Sequence, residues 1–187
     1  PLAGVRAIAE RHAATLNDVV LTLCSSAVRD YLAAHGGVPC KSLVATMPVS
    51  LRAAGNTETT IQATLTLVRL ATHLADPVRR LQAVCAAAGA AKALTRRARS
   101  IIPTDFPSLG MPWVVGGLAA LYGRSRLAAQ VPPLANLAIS NVPGPRKPLY
   151  LAGGRIRACW PLSVVTHGLG LNITVFSYCD ALDFGLT

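Results

Sequence analysis

Leu2, Val5, Ile8 and Ala9 recur at helical spacing and predict an amphipathic helix over residues 2–13. A second helix follows in TLNDVVLTLCSSAVRDYLAA. Its start has the form of a capping box, in which the Thr15 hydroxyl takes an orphan backbone N–H and Asp18 stands at the reciprocal position. Val20, Leu23, Ala27 and Tyr31 fall on one face, widened by Cys24 and Val28. His35-Gly36-Gly37 ends this helix. SLVATMPVSL predicts a buried strand closed by Pro48, and AAGNTE a loop. IQATLTLV alternates, with Ile61, Ala63, Leu65 and Leu67 on one side and Gln62, Thr64 and Thr66 on the other, as in a half-buried strand with its aliphatic side inward.

Asp76-Pro77 marks another helix start, an N-cap followed by the residue best tolerated at the first position. That helix carries Val78, Leu81, Val84, Cys85 and Ala88 and finishes in the basic run KALTRRAR, 92–99. Residues 103–133, rich in Pro, Gly and Leu, predict short helices without a clean period. Three strands close the chain, at about 134–141, 149–158 and 170–178, and a turn at Asp180-Ala181 returns the last into a hairpin arm, LDFGLT. Helices and strands alternate irregularly, so the expected class is α/β or α+β with a mixed sheet flanked by helices. The chain opens inside a helix and closes on a strand arm. The expectation is therefore one lobe of a larger protein.

Composition narrows the partners. The 187 residues are 52% hydrophobic but 5% aromatic, mostly Ala, Leu and Val. Lys and Arg number 18 against 8 Asp and Glu, a formal net charge of +10. Such a surface attracts anions, whether nucleic acid, acidic lipid or phosphorylated small molecules such as coenzyme A. The arginines do not interleave with aromatics, and no zinc-knuckle or RNA-binding strand motif is present, which argues against nucleic acid. Cys24, Cys40, Cys85, Cys159 and Cys179 form no CxxC pair and no zinc spacing; they read as reduced, buried thiols of a cytosolic protein with no metal site. The first residues have no signal-peptide form. The longest apolar stretch, MPWVVGGLAALYG, is broken by Pro112, Gly116 and Gly117 and falls short of the ~20 residues of a span.

Three segments invite a chemical reading, and each has a structural alternative. In SNVPGP, 140–145, Pro143 and Gly144 fit the central positions of a type II turn, Gly144 supplying a positive φ, with Pro145 delaying the next strand. A rigid strand corner accounts for these residue types. His167, in THGLGLNIT, stands at a strand entrance where an imidazole can act as a base or simply be hydrogen-bonded into the fold. Asn17-Asp18 lies at a helix start, where capping competes with Asn17 projecting toward a site. Lys92, Arg96, Arg97 and Arg99 form either a solvated face or an attractor of phosphates.

Seven blocks occur in order: NDVVLTLCSSAVRDYL (17–32), MPVSLR (47–52), GN (55–56), SNVPGP (140–145), PLYLAGGRI (148–156), HGLGLNITVFSY (167–178) and LDFGL (182–186). Together they resemble the C-terminal half of the bacterial wax ester synthase/acyl-CoA:diacylglycerol acyltransferases. The resemblance implies a lobe of the chloramphenicol acetyltransferase-like fold, residues 1–187, facing an N-terminal lobe that carries an HHxxxDG motif. The second histidine of that motif is the family's general base, which deprotonates a fatty alcohol or diacylglycerol for attack on an acyl-CoA thioester. This chain has no HHxxxDG and no adjacent histidines. The resemblance therefore assigns it no catalytic residue, and the isolated fragment is expected to be inactive. Asn17 and Asp18 take the family's supporting role. Ser140, Asn141, Val142, Pro143, Gly144 and Pro145, with the strand that follows them to 156 and with His167 and Asn172, are expected to shape the substrate tunnel. Trp160 departs from the tyrosine or smaller apolar residue expected there. The implied partners are acyl-CoA as substrate rather than cofactor, diacylglycerol or a long-chain alcohol, the HHxxxDG lobe, and peripherally the inner membrane or lipid inclusions, but not nucleic acid. A non-catalytic acyl-CoA- or lipid-binding module is the alternative.

Overall fold

Thr15 and Asp76 start the two longer helices as their side chains predict. In the computed structural model, which describes residues 1–50, 63–98, 133–166 and 168–187, the Thr15 hydroxyl accepts from the Asp18 N–H at 3.2 Å while Asp18 accepts from the Thr15 N–H at 3.0 Å. Asp76 accepts from the Arg79 N–H at 2.7 Å. The elements run α1 Leu2–Arg11, α2 Leu16–Ala34, β1 Val44–Ser50, β2 Ala63–Arg69, α3 Pro77–Ala98, β3 Leu137–Val142, β4 Tyr150–Leu151, β5 Gly154–Arg155, β6 Leu171–Tyr178 and β7 Ala181–Leu186. The predicted short helices of 103–133 and the loop AAGNTE lie outside the described residues, apart from Pro133.

Five strands form one mixed sheet in the order β2-β1-β3-β6-β7. β1, β3 and β6 are parallel, and β2 and β7 pair antiparallel at the two edges. One face is covered by helices. Val20, Leu21 and Cys24 of α2 and Val84, Ala88 and Ala91 of α3 pack on Ala45, Met47, Val68, Leu137, Ile139, Ile173 and Val175. α1 joins through Ala9, which packs with Val19 and Leu81.

Several expectations are corrected here. Of the five thiols expected to be buried, Cys24 is; Cys40 is exposed, and Cys85, Cys159 and Cys179 are partly exposed. The buried stripe of α2 is Val20, Leu21, Cys24 and Ser25, whereas Leu23 and Tyr31 face outward. β2 is inverted: Thr66 and Val68 face the core, while Leu65 is 72% exposed and Leu67 47%. Its register fixes this, because Val68 lies opposite core-facing Ala45 and Leu67 opposite Thr46. Pro48 does not close β1, which continues to Ser50. β1 pairs with β3 only at Ala45–Leu137 and Thr46–Ala138, so Pro48 lies beyond that ladder. The strand expected over 149–158 is a short hairpin, β4–β5, turned by Ala152 and Gly153 at φ 49° and 81°. Two successive positive φ values are what a two-residue hairpin turn of primed type requires.

Residues 156–166 then run along β6 and β7. Cys159 N–H donates to Asp183 at 3.2 Å and the Asn172 amide donates to the Val164 carbonyl at 3.0 Å. Gly185 permits this approach, since a Cβ there would run into the Pro161 carbonyl. Trp160, Leu162 and Val164 point away from the sheet, Trp160 at 79% exposure.

Candidate functional site

The narrow β1–β3 ladder decides where a site can form. Two residue pairs join these strands, against six for β3–β6. Past Thr46 and Ala138 the two strands are no longer paired, and a fork opens at their carboxyl ends. In open α/β sheets such a crevice is the preferred place for ligands. The N-terminus of α2 enters it. The Asn17 amide nitrogen lies 3.2 Å from the Met47 sulfur of β1, and the Asn141 amide donates to the Asn17 Oδ1 of α2 at 3.4 Å. Asn17 therefore spans the fork, touching one residue from each strand.

Its neighbour does something else. Successive helical positions point about 100° apart, and Asp18 turns inward. One carboxylate oxygen takes the capping bonds from the Thr15 N–H and hydroxyl. The other has no hydrogen-bond partner, with the Lys92 ammonium of α3 4.0 Å away. The buried carboxylate also acts on Cys85, whose thiol is pushed up first by burial and then by the Asp18 charge.

The SNVPGP segment divides in the same way. Asn141 lies on the helix-covered face and reaches Asn17, while Ser140 and Val142 lie on the opposite face, beside Thr174 and Phe176. Gly144 does not have the positive φ expected of a type II turn. Its glycine is needed for close approach: a Cβ would meet the Ser177 carbonyl and, at 2.6 Å, the Phe176 ring. The Gly144 N–H donates to the Ser177 hydroxyl at 2.9 Å, and the Cys179 N–H donates to the Pro145 carbonyl at 2.9 Å. The corner is thus bolted to the end of β6.

A cleft of about 490 Å³ lies between this corner and α1. Leu2, Ala9, Ala13, Ala14 and Leu16 give it an apolar wall, with Pro143 and Gly144 opposite. Arg6, Glu10, Arg146, Ser177 and Cys179 supply its polar groups. The α1 side is held in place by the Leu2 N–H, which donates to the Asp180 carbonyl at 2.7 Å. An elongated apolar molecule with an anionic end matches such a lining.

The fork and the cleft bring Asn17, Asn141, Pro143 and Gly144 to one end of the sheet. Asn172 is not among them. It sits at the opposite end of β6, where its amide holds Val164 and accepts from Thr174. His167 lies outside the described residues. Sequence reasoning missed Met47, Arg6, Arg146 and Ser177. Their residue types carry no signal; only the strand order and the α1 packing place them at the fork or the cleft. Among the described residues no group of His, Cys, Asp and Glu is arranged to hold a metal. Among the described residues the cleft lining includes no histidine.

Comparison with known proteins places this geometry in context. Residues 62–187 match the sequence profile of the WS/DGAT C-terminal domain. The chain is 39% identical over 186 residues to the O-acyltransferase WSD of Acinetobacter baylyi, covering 97% of the chain and 38% of that protein. It is 40% identical to a Mycobacterium tuberculosis protein carrying the name of a diacylglycerol O-acyltransferase, over 100% of the chain and 40% of that protein. The structure of a wax ester synthase/diacylglycerol acyltransferase from Marinobacter aquaeolei VT8 superposes with a TM-score of 0.70 at 32% identity, covering 97% of this chain and 39% of that one. The chain thus spans about two fifths of the length of these relatives.

Proposed function

The chain belongs to the wax ester synthase/diacylglycerol acyltransferase family, whose C-terminal domain it matches, and on that premise we propose that residues 1–187 are the C-terminal lobe of an O-acyltransferase. The reaction moves a fatty acyl group from acyl-CoA to diacylglycerol or a long-chain alcohol. An imidazole from a preceding HHxxxDG lobe takes the alcohol proton. The oxygen attacks the thioester carbonyl, an oxyanion forms, and coenzyme A leaves as the thiol once protonated.

The observation that carries this reading is the Asn17 bridge across the β1–β3 fork. A thioether sulfur is a weak acceptor, so the Asn17 N–H beside Met47 is held in place yet available to a better acceptor. A carbonyl oxygen developing negative charge is such an acceptor. Asn141 fixes the amide by bonding its oxygen, which leaves the nitrogen pointing into the fork. Asp18 positions Asn17 indirectly, by fixing the first turn of α2. The apolar wall of the cleft suits an acyl chain, and Arg6 and Arg146 suit the phosphates of coenzyme A. The outward Leu65, Leu67, Trp160, Leu162 and Val164 support a lobe whose open surface is covered by a neighbour. No described helix is long and apolar enough to cross a membrane, in keeping with peripheral association with a membrane or lipid inclusion.

The test joins this chain to a lobe bearing HHxxxDG and measures acyl transfer from acyl-CoA to diacylglycerol and to a fatty alcohol. Activity is expected from the joined protein and not from residues 1–187 alone. Turnover by the isolated chain would overturn the reading. Tight acyl-CoA binding with no turnover in the joined protein would make it a lipid-binding module instead.

A further inference from the structure

The β4–β5 hairpin has a composition that the fold does not require. Its two arms contribute nothing to the core: Tyr150 is 66% exposed and Leu151 74%, and Leu149 before them is half exposed. Arg146 and Lys147 precede the hairpin, and Arg155 and Arg157 lie on and just after its second arm; all four are exposed. No acidic residue occurs in the sequence between Asp105 and Asp180. An apolar tip between cations is therefore displayed to the surroundings.

The display is rigid at its root. The Tyr178 hydroxyl, at the buried end of β6, donates to the Ile156 carbonyl at 2.8 Å and accepts from the Leu149 N–H at 2.9 Å. The Ile156 N–H donates to the Leu149 carbonyl at 2.9 Å. One phenol thus clamps both legs, and the turn at Ala152-Gly153 projects beyond it. Tyr150 stands opposite Arg155 across the hairpin, so an amphipathic ring and a guanidinium lie side by side. Tyrosine and arginine both favour the boundary between hydrocarbon and headgroup, with apolar atoms inward and the polar end in the phosphate layer.

We propose that this hairpin is the protein's anchor to an anionic phospholipid surface, with Leu149, Tyr150 and Leu151 entering the acyl boundary and Lys147, Arg155 and Arg157 engaging headgroup phosphates. It rests on the reading above that the enzyme works at a lipid surface, and it assigns the face that makes the contact. Charge complementarity selects the occupant: Lys147, Arg155 and Arg157, exposed and with no ion pair among the described residues, match a sheet of phosphates. The apolar tip is what a soluble anion would not need. Anchoring here sets the hairpin root, and with it the SNVPGP corner bolted to the same end of β6, close to the membrane from which a diacylglycerol would be drawn.

The experiment is vesicle flotation of the full-length protein, with phosphatidylcholine vesicles and with vesicles that also contain phosphatidylglycerol. Strong binding is expected only with phosphatidylglycerol and is expected to weaken with salt. The double variants Y150S/L151S and R155S/R157S should each lower binding about tenfold or more, while acyl transfer between soluble short-chain substrates stays unchanged. A second measurement needs no variant: anionic vesicles should protect Arg155 and Arg157 from trypsin. If the wild type floats and folded hairpin variants float equally, with no protection from trypsin, the hairpin assignment is wrong and the lipid-surface reading stands. If the wild type floats with neither vesicle, both fall. Loss of soluble-substrate activity in the folded variants would make the hairpin part of the reaction site and overturn its assignment as an anchor.

Discussion

The Asn141 side-chain amide donates to the Asn17 Oδ1 at 3.4 Å, joining two residues 124 positions apart in the chain. Neither residue reaches the other until β1 and β3 are paired and α2 has docked over them. The two motifs that looked separate along the sequence form one device at the carboxyl ends of the parallel strands.

Neighbouring residues of the ND pair should fail differently. Asn17→Ala in the full-length enzyme is expected to lower kcat/KM by about a hundredfold, with a change in stability under about 1 kcal/mol. Asp18→Ala removes the capping acceptor and should cost about 1–2 kcal/mol in urea unfolding. Asn141→Ala combined with Asn17→Ala should be less than additive in kcat/KM, because each variant already releases the same amide. Additive losses would show that the two side chains act separately.

Two glycines make a matched pair. Gly144→Ala forces a methyl against the Ser177 carbonyl and the Phe176 ring and should destabilise by about 1–3 kcal/mol. Gly89, in the middle of α3, has nothing within 4 Å of an added Cβ. Gly89→Ala should stabilise by about 0.5–1 kcal/mol. Thermal unfolding of both variants, with opposite shifts in Tm, is the check.

Arg80 is a buried staple. It is 4% exposed and donates to the Leu74 carbonyl, the Ala75 carbonyl and the Ser26 hydroxyl at 3.1, 2.8 and 2.7 Å. Burial, with Arg29 nearby, lowers its affinity for a proton. Arg80→Met keeps the volume and removes all three donors; a loss of about 2–3 kcal/mol is expected in urea titration. Arg80→Lys should recover only part of it, because an ammonium cannot reproduce the guanidinium fork.

Burial pushes the Cys24 thiol up to about 12. Unfolding returns it to about 8.5. Between these values the folded protein keeps a proton that the unfolded chain has lost, so stability falls as pH rises through this window, by up to about 1.4 kcal/mol per pH unit. Below pH 8 the thiol is neutral in both states and contributes no slope. Cys24→Ala should flatten the alkaline limb of a stability–pH curve. Exposed Cys40 should be alkylated in the native protein while Cys24 is spared.

Local chemistry was the legible part of the sequence. Thr15 and Asp18 form a capping box and Asp76 caps α3, because those bonds depend only on residues a turn apart. The β6–β7 hairpin was legible for the same reason, although its turn uses Cys179 at φ 53° and Asp180. Which side of an element is buried was not. Leu65 and Leu67 looked like core because leucines usually are; the core chose Thr66 and Val68, since a strand's inward face is set by its partner's register. Likewise α2 buries Ser25, whose hydroxyl donates to the Leu70 carbonyl at 2.6 Å, and exposes Leu23. For the site, the structure brings Asn17, Asn141, Pro143 and Gly144 to one end of the sheet. Asn172 lies at the other end of β6, bonded to Val164 and Thr174, because only the strand order shows which end of a strand meets the fork.

The sheet has a weak seam. On one side lie β2 and β1, on the other β3, β6 and β7, and the two leaves meet through the pairs at Ala45 and Thr46, with Asn136 as a clasp on Val44. A book bound by so few stitches opens at its spine. Amides of this seam should exchange with solvent before those of β6, and a prying force should part the leaves there first. A guest wider than the resting fork would then enter by spreading the binding rather than by melting the pages.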